Sequence, residues 1–161
     1  VHSRPIQAAD HAALLTLNAE SVQALSPLDA QTLDALIAAC TYCQVIEDDG
    51  QVLAFVIALA PGADYASVNY QWFEARGERF LYVDRVVVAA SARARGLGRR
   101  LYLDLFEFAC AEGFDEVTCE YDIDPPNPAS AAFHARFGFM EVGQQEVRGK
   151  RVSMQAAALT P

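Results

Sequence analysis

The sequence feature that most constrains the fold is a long apolar segment followed by a glycine- and arginine-rich loop, a helical stretch and a second strand. Residues 80–89 are almost continuously apolar, as expected of a central strand covered on both faces. Residues 97–112 carry apolar side chains at helical spacing, and residues 116–122 alternate as a strand does. A strand, a crossover helix and a second strand at this spacing form a βαβ unit, so the two strands should be parallel.

The rest of the chain predicts more strands and two early helices. Helices are expected from Asp10 through Ala24 and from Asp29 through Ile37, and a short helix should begin at Asn127. The further predicted strands are residues 4–6, 41–47, 52–59, 139–147 and 151–158. We therefore predict an α/β fold with a mixed, mostly antiparallel sheet of six or seven strands. One parallel βαβ pair should lie at its centre, with helices on both faces, in a single domain over residues 1–161.

Composition excludes several classes of protein. Hydrophobic residues make up 53% and charged residues 20% of the 161 positions, which is typical of a globular chain rather than a disordered one. No apolar run approaches the roughly 18 residues that a membrane span needs. The net charge of −9 argues against general nucleic-acid binding. No basic and apolar leader pattern opens the sequence, so we expect a cytoplasmic protein.

The charge is distributed unevenly along the chain. Residues 76–100 carry seven arginines against two acids, whereas the segments on either side are strongly acidic. A short basic island in an acidic protein suits a small anionic ligand better than a polymer.

Cys40 and Cys43 form a C-x-x-C pair. In a reducing compartment we expect them to be thiols that pack structurally, because the pair follows a helical stretch rather than opening a helix after a strand. A redox or zinc site is the alternative, although Cys110 and Cys119 do not supply further ligands at zinc-site spacing.

The loop over residues 93–100 reads RARGLGRR and lies between the apolar strand and its crossover helix. A helix start presents unpartnered N–H groups and the positive end of the helix dipole. Gly96 and Gly98 let a phosphate approach the backbone, and four arginines add positive charge. The loop lacks the Gly-Lys-Ser/Thr of a P-loop, and Leu101 stands where the dinucleotide fingerprint needs glycine. We therefore predict a pyrophosphate cradle; a solvated basic helix start is the alternative.

These motifs resemble the GNAT acyltransferase superfamily, whose members move an acyl group from coenzyme A to an amine. The family pattern [R/Q]-x-x-G-x-[G/A] is matched by Arg93, Gly96 and Gly98. A second family pattern is matched by Asn127, Ser130, Phe133, Gly138 and Phe139, with His134 where the family usually has tyrosine. The segments 82–86 and 124–128 also resemble a group of predicted bacterial acetyltransferases. The resemblance covers essentially the whole chain.

The resemblance implies acetyl-CoA as the acyl donor and no metal. The residues expected to hold the coenzyme are the backbone of Val86, Val87 and Val88, the cradle residues Arg93, Arg95, Gly96, Leu97, Gly98 and Arg99, and Asn127 and Ser130 near the short helix.

The resemblance also suggests the acid and base. Asp84 stands where many members carry a glutamate implicated as the base; an ion pair with a neighbouring arginine is the alternative role. Glu120 on the adjacent strand is the reserve candidate. His134 is the candidate proton donor to the leaving thiolate, and simple packing on its helix is the alternative.

The acceptor pocket is expected at a loop over residues 63–79, with Ser67, Asn69, Tyr70 and Trp72 as candidate contacts. Aromatic side chains can hold a cationic amine, although they could equally cover the end of the sheet. The function expected is an acetyl-CoA-dependent N-acetyltransferase acting on a small-molecule or protein amine. The alternative is a weakly catalytic coenzyme A-binding regulatory domain. Family members often dimerise through their C-terminal strands, which suggests a homodimer.

Overall fold

A computed structural model describes residues 1–21 and 27–160 of the chain. In chain order the strands and helices are β1 (His2–Pro5), α1 (His11–Glu20), α2 (Ala30–Ala39), β2 (Tyr42–Asp48), β3 (Gln51–Leu59), α3 (Val68–Arg76), β4 (Phe80–Val88), α4 (Leu97–Ala111), β5 (Glu116–Asp124), α5 (Pro128–Ala135), β6 (Met140–Val147) and β7 (Lys150–Ala158). The predicted continuation of α1 to Ala24 lies outside the described residues.

The described strands form a seven-stranded sheet in the order β1-β2-β3-β4-β5-β7-β6. β4 and β5 are parallel, with Phe80 opposite Glu116 and Tyr82 opposite Thr118. The pairs β1–β2, β2–β3, β5–β7 and β6–β7 are antiparallel. The predicted mixed sheet with one parallel pair is therefore confirmed.

The chain divides into two compact units. The first contains Val1–Leu59 and Val83–Glu107, and the second contains Ala60–Tyr82 and Phe108–Pro161. β4 contributes its first three residues to the second unit and the remainder to the first.

The first unit is built on the β2–β3 hairpin. Asp49 and Gly50 have positive φ values of 50° and 75° at its turn, the geometry of a tight two-residue turn. β3 is buried from Val52 to Leu59. Arg4 of β1 donates to both carboxylate oxygens of Asp10 at 2.8 Å and to Glu47 at 3.0 Å. Asp10 therefore serves this ion pair instead of capping α1 with its side chain.

The second unit carries helices on both faces of its strands. Side chains alternate along β5, so Glu116, Thr118, Glu120 and Asp122 share one face and Cys119 and Tyr121 lie on the other. On the first face, Asn69 of α3 contacts Glu120. On the opposite face, His134 of α5 lies 5.5 Å from the Tyr121 ring, measured between ring centroids. The two faces therefore present different chemical groups.

The prediction of a loop over residues 63–79 is wrong, because the segment contains α3. Ser67 caps the helix by accepting the Tyr70 N–H at 3.3 Å. Gly77 ends it in the left-handed conformation, with φ 88°. Tyr70 and Phe73 are its only fully buried side chains, and a single i, i+3 pair is too short a pattern to predict a helix.

The prediction of free thiols at Cys40 and Cys43 is also wrong, because the structure joins the two residues in a disulfide. Cys40 is the C-cap of α2 and Cys43 is the second residue of β2. The chain reversal between these elements leaves the two Cα atoms 6.6 Å apart, within the usual range for a disulfide.

The buried stripe of α4 ends at Ala109, and Phe108 is half-buried. The terminal hairpin between β6 and β7 turns at Arg148 and Gly149. No helix among the described residues has the length and apolar character to cross a bilayer.

Candidate active site

The loop between β4 and α4 bends sharply before the helix begins. Ala94 and Gly96 have positive φ values of 69° and 74°. Gly96 accepts the first helical hydrogen bond, from the Arg100 N–H at 3.1 Å, so α4 begins at Leu97. The N–H groups of the first turn have no partner within the helix and lie at the positive end of its dipole. This end of α4 can therefore bind an anion.

The arginines of this loop are mostly exposed. Arg93, Arg95 and Arg99 all reach solvent, and Arg95 contacts the Asp48 carboxylate at 3.2 Å. That side chain is 43% exposed, and an exposed ion pair contributes little to stability. An incoming anion could therefore recruit Arg95 at small cost.

The middle of β4 carries a buried ion pair directly before Val86–Val88, the segment of the strand predicted to pair with the coenzyme. Arg85 donates from Nε to Asp84 Oδ2 at 2.7 Å and from Nη1 to Asn18 Oδ1 at 2.9 Å. The Asp84 and Arg85 side chains are only 4% and 6% exposed. The structure thus shows the ion pair that the sequence offered as the alternative role of Asp84. One oxygen of Asp84 is engaged by the guanidinium.

The four residues predicted to contact the acceptor have different structural roles. Ser67 is the cap of α3. Tyr70 is fully buried, and its hydroxyl donates to the Ala60 carbonyl at 2.6 Å. Trp72 is half-buried, and its ring lies directly against the backbone of Gly143. Asn69 is the member of the set that reaches a candidate acid–base group.

That group is Glu120, which lies at the centre of a polar cluster. Its Oε1 accepts from Asn69 Nδ2 at 3.1 Å and from the Tyr82 hydroxyl at 2.9 Å. Asn69 Oδ1 in turn accepts from Gln145 Nε2 at 2.7 Å. The structure therefore brings together two predicted residues, Glu120 and Asn69, and adds Tyr82 and Gln145.

The short helix α5 carries the remaining candidates. Asn127 caps it by accepting the Ser130 N–H at 3.3 Å. His134 Nδ1 lies 2.7 Å from the Ser130 carbonyl oxygen. Because a carbonyl only accepts, this ring nitrogen carries the hydrogen. Burial lowers the pKa of His134, and the bond to Ser130 partly opposes that shift, so the ring is neutral at neutral pH.

Tyr121 is a second titratable group that lies against this helix. Burial raises the pKa of Tyr121, so its hydroxyl keeps its proton at neutral pH.

Within the described parts of the chain, no three His, Cys, Asp or Glu side chains are grouped to hold a metal.

Residues 12–139 match the Acetyltransferase (GNAT) family. The chain belongs to this family. A curated relative, phosphinothricin N-acetyltransferase of Streptomyces coelicolor, is 42% identical over 66 residues, which are 41% of this chain. The match spans 37% of that relative, little more than a third of its length.

Solved structures share the GNAT fold over nearly the whole chain. The ribosomal-protein-S18-alanine N-acetyltransferase of Escherichia coli has a TM-score of 0.76 at 15% identity and covers 99% of this chain and 94% of its own. The Salmonella typhimurium protein YncA, solved with its cofactor acetyl-CoA, has a TM-score of 0.74 at 20% identity with coverages of 99% and 94%. At these identities the likeness concerns the fold.

In this GNAT protein the family motif coincides with the bend before α4, since Arg93, Gly96 and Gly98 lie at or beside it. Sequence reasoning missed Tyr82, Tyr121 and Gln145 as functional candidates. The alternation of β5 could have indicated Tyr121, because it places this residue on the face opposite Glu120. Nothing local to β6 distinguishes Gln145 from Gln144.

Proposed function

We propose that this protein is an acetyl-CoA-dependent N-acetyltransferase that transfers an acetyl group directly to an amine of a small molecule or a protein. Family membership supports the reaction class. The relatives named above are, by their names, N-acetyltransferases of a small molecule and of a protein alanine, and one fold neighbour was solved with acetyl-CoA. Both kinds of acceptor therefore stay within the proposal.

The observation that carries the proposal is the bend at Ala94 and Gly96 into the N-terminus of α4. The N–H groups of Leu97, Gly98 and Arg99 would bind the pyrophosphate, and the exposed Arg93 and Arg95 would balance its charge. The backbone of Val86–Val88 would pair with the pantetheine arm, and Asn127 and Ser130 would contact the coenzyme near α5. Acetyl-CoA supplies the activated acetyl group as a thioester.

An amine must lose its ammonium proton before it can attack. Glu120 is the base favoured by the structure, because its carboxylate lies beside Asn69, the predicted acceptor contact on α3. A proton moving from the ammonium nitrogen to Glu120 breaks an N–H bond and forms an O–H bond. Asp84 is the second candidate, with one oxygen engaged by Arg85. A cationic acceptor would also be attracted by the acidic charge of the chain.

The opposite face of β5 would serve the leaving thiolate. Tyr121 is protonated at neutral pH and can donate its phenolic hydrogen there. His134 is neutral, and its hydrogen is directed at the Ser130 carbonyl. We therefore place Tyr121 as the donor, with His134 packed against it as the alternative donor that the sequence suggested.

Calorimetric titration with acetyl-CoA tests the proposal, with ATP and NAD as controls and a screen of amines for thiol release as the second step. Selective binding with a Kd on the order of micromolar, which corresponds to about −8 kcal/mol, is the expected result. If acetyl-CoA, ATP and NAD bind equally well, or if acetyl-CoA does not bind, the assignment of a pyrophosphate cradle is rejected. Binding without thiol release from any amine would instead favour the coenzyme-binding regulatory domain.

A further inference from the structure

Three side chains in the second unit form a continuous hydrogen-bonded chain from the edge strand β6 to the candidate base. Gln145 Nε2 donates to Asn69 Oδ1 at 2.7 Å, and Asn69 Nδ2 donates to Glu120 Oε1 at 3.1 Å. Two carboxamides in series therefore separate Glu120 from the strand that carries Gln145.

The charge state of Glu120 dictates the orientation of both carboxamides. A carboxylate only accepts hydrogen bonds, so Asn69 must turn its amino group towards Glu120 and its oxygen towards Gln145. Gln145 must then turn its own amino group towards Asn69. The observed chain has this orientation and is therefore the one that fits an ionised Glu120.

Protonation of Glu120 permits the reverse orientation. A carboxylic acid can donate to Asn69 Oδ1, and Asn69 Nδ2 can then donate to the oxygen of Gln145. Every group in the chain has a partner in both states, because a carboxamide offers a donor and an acceptor. A side chain at position 145 that could only accept would fit the protonated state alone.

We propose that Gln145 is a positioning residue for acetyl transfer: it orients the Asn69 carboxamide so that Glu120 can both hold and release the proton taken from the acceptor amine. This role rests on the proposed function of Glu120 as the base. Gln145 itself takes no proton.

The other charged groups on this face of β5 have partners of their own. Glu116 is paired with Arg76 of α3, and Asp122 with Lys150 at the start of β7. β7 presents Val152 and Met154 to the same face, opposite Asp122 and Glu120, and both are uncharged. Tyr82 of β4 is a titratable group that contacts Glu120 directly. The carboxamide chain and the Tyr82 hydroxyl therefore act on a carboxylate whose flanking charges are compensated.

The test is the pH dependence of kcat/KM for Gln145→Glu, with acetyl-CoA and an amine acceptor. A carboxylate at position 145 accepts from Asn69, which turns the Asn69 oxygen towards Glu120 and favours its protonated form. The acid limb of the profile should move to higher pH by about one unit, the size of effect that nearby charge and hydrogen bonding produce. Gln145→Lys, which only donates, should move the limb the other way.

Gln144 provides the matched control. It is the neighbouring residue on β6, its side chain donates to Glu141, and Glu141 accepts from Ser153, which lies on the opposite face from Glu120. Gln144→Glu and Gln144→Lys add the same charges to the same strand and should leave the acid limb in place. Equal shifts from the position 144 and 145 variants, or none from Gln145→Glu, would overturn the positioning role.

Failure of the proposed function has a separate signature. Glu120→Gln with wild-type kcat/KM would remove Glu120 as the base, and this inference with it. If the native protein does not bind acetyl-CoA, the proposed acetyltransferase function itself is rejected. Thermal denaturation of each variant identifies any that fails to fold. If a position 145 variant does not fold, Gln145→Met, which loses the hydrogen bond at similar side-chain volume, is tested in its place. An unchanged pH profile for Gln145→Met overturns the positioning role.

Discussion

At the scale of single residues, the proposed pyrophosphate cradle depends on backbone conformation as much as on side-chain charge. Gly96 has φ 74° with nothing within 4 Å of where its Cβ would lie. Space is therefore available for a side chain, and only the left-handed conformation requires glycine. The arginines around Gly96 are exposed, so the loss of one arginine charge next to a bound anion can be offset by a neighbouring arginine.

Replacing Gly96 with valine should weaken acetyl-CoA binding by at least tenfold while the fold persists. The strain of a β-branched residue at this φ is about 1–2 kcal/mol, and the loop relieves it by abandoning the conformation that points the N–H groups at the anion. Calorimetry measures the affinity and circular dichroism the fold. Gly62→Val, at φ 85° in a turn outside the cradle, is the matched control for strain. Unchanged affinity in Gly96→Val would contradict the cradle.

The two carboxylate candidates can be separated by comparing Glu120→Gln with Asp84→Asn. Removing a general base lowers kcat/KM by about 10²- to 10⁴-fold, and we expect that loss for Glu120→Gln. Asp84→Asn removes the carboxylate charge from the buried ion pair with Arg85, so its main effect should be on stability. Steady-state kinetics and thermal unfolding of both variants give the answer. The reverse pattern would make Asp84 the base.

Tyr121→Phe should lower kcat with little change in acetyl-CoA affinity, because the substitution removes only the phenolic hydrogen. His134→Ala should lower it less, since the neutral ring directs its hydrogen at Ser130. General acid catalysis suggests a loss on the order of 10²-fold for the true donor. Turnover and calorimetric affinity are measured for both variants. A larger loss of turnover in His134→Ala would restore the histidine as donor.

At the scale of secondary structure elements, α3 is the helix that carries the residues proposed to bind the acceptor. It carries Asn69 towards Glu120 and rests Trp72 on β6 at Gly143. A Cβ at Gly143 would come within 2.7 Å of Trp72 Cη2, closer than carbon atoms pack. Because Gly143 has no side chain, α3 can pack against β6 closely enough for Asn69 to contact Gln145.

Gly143→Ala should destabilise the protein by about 1–3 kcal/mol, the usual cost of overpacking, and should weaken acceptor binding because α3 must move. Chemical denaturation and the acceptor KM report the two effects. Combining Gly143→Ala with Trp72→Ala removes the clash, so the double variant should be little less stable than Trp72→Ala alone. Equal destabilisation by Gly143→Ala in both backgrounds would show that the Trp72 contact does not control the site.

At the scale of the whole molecule, the chain is acidic apart from its basic island. Two groups of ionisable residues link stability to pH in the same direction. The Arg4 guanidinium lowers the pKa of Asp10 and of Glu47, so their stabilisation is present above the ordinary carboxyl range and is lost as pH falls through their folded values. Burial lowers the pKa of His134 below its ordinary 6.5, so the unfolded chain binds the proton more readily.

The free energy of unfolding should therefore begin to fall as pH drops below 6.5, well before the carboxylates protonate. His134→Gln should abolish that first decline while keeping the steeper loss at lower pH. Denaturant titrations between pH 8 and pH 4 measure both, with pH 8 as the reference because His134 is neutral there in both states. A decline of equal slope between pH 6.5 and 5 in His134→Gln would contradict the assignment to His134.

The sequence by itself determined the parallel β4–β5 pair, most of the strands along the chain and the loop of glycines and arginines between β4 and α4, because those depend on local periodicity and on residue types at fixed spacing. It could not determine α3, whose two buried positions make too short a pattern, nor the disulfide at Cys40 and Cys43, which depends on how α2 turns into β2. The sequence could not predict which residues contact Glu120 either. Asn69 and Gln145 are 76 residues apart. The pairing of β6 with β7 and of β7 with β5 brings Gln145 to the face of β5 that carries Glu120, and Asn69 of α3 contacts both side chains there. Tertiary structure thus decided that Glu120 is the carboxylate in contact with Asn69 of α3, because that depends on contacts that no local pattern encodes.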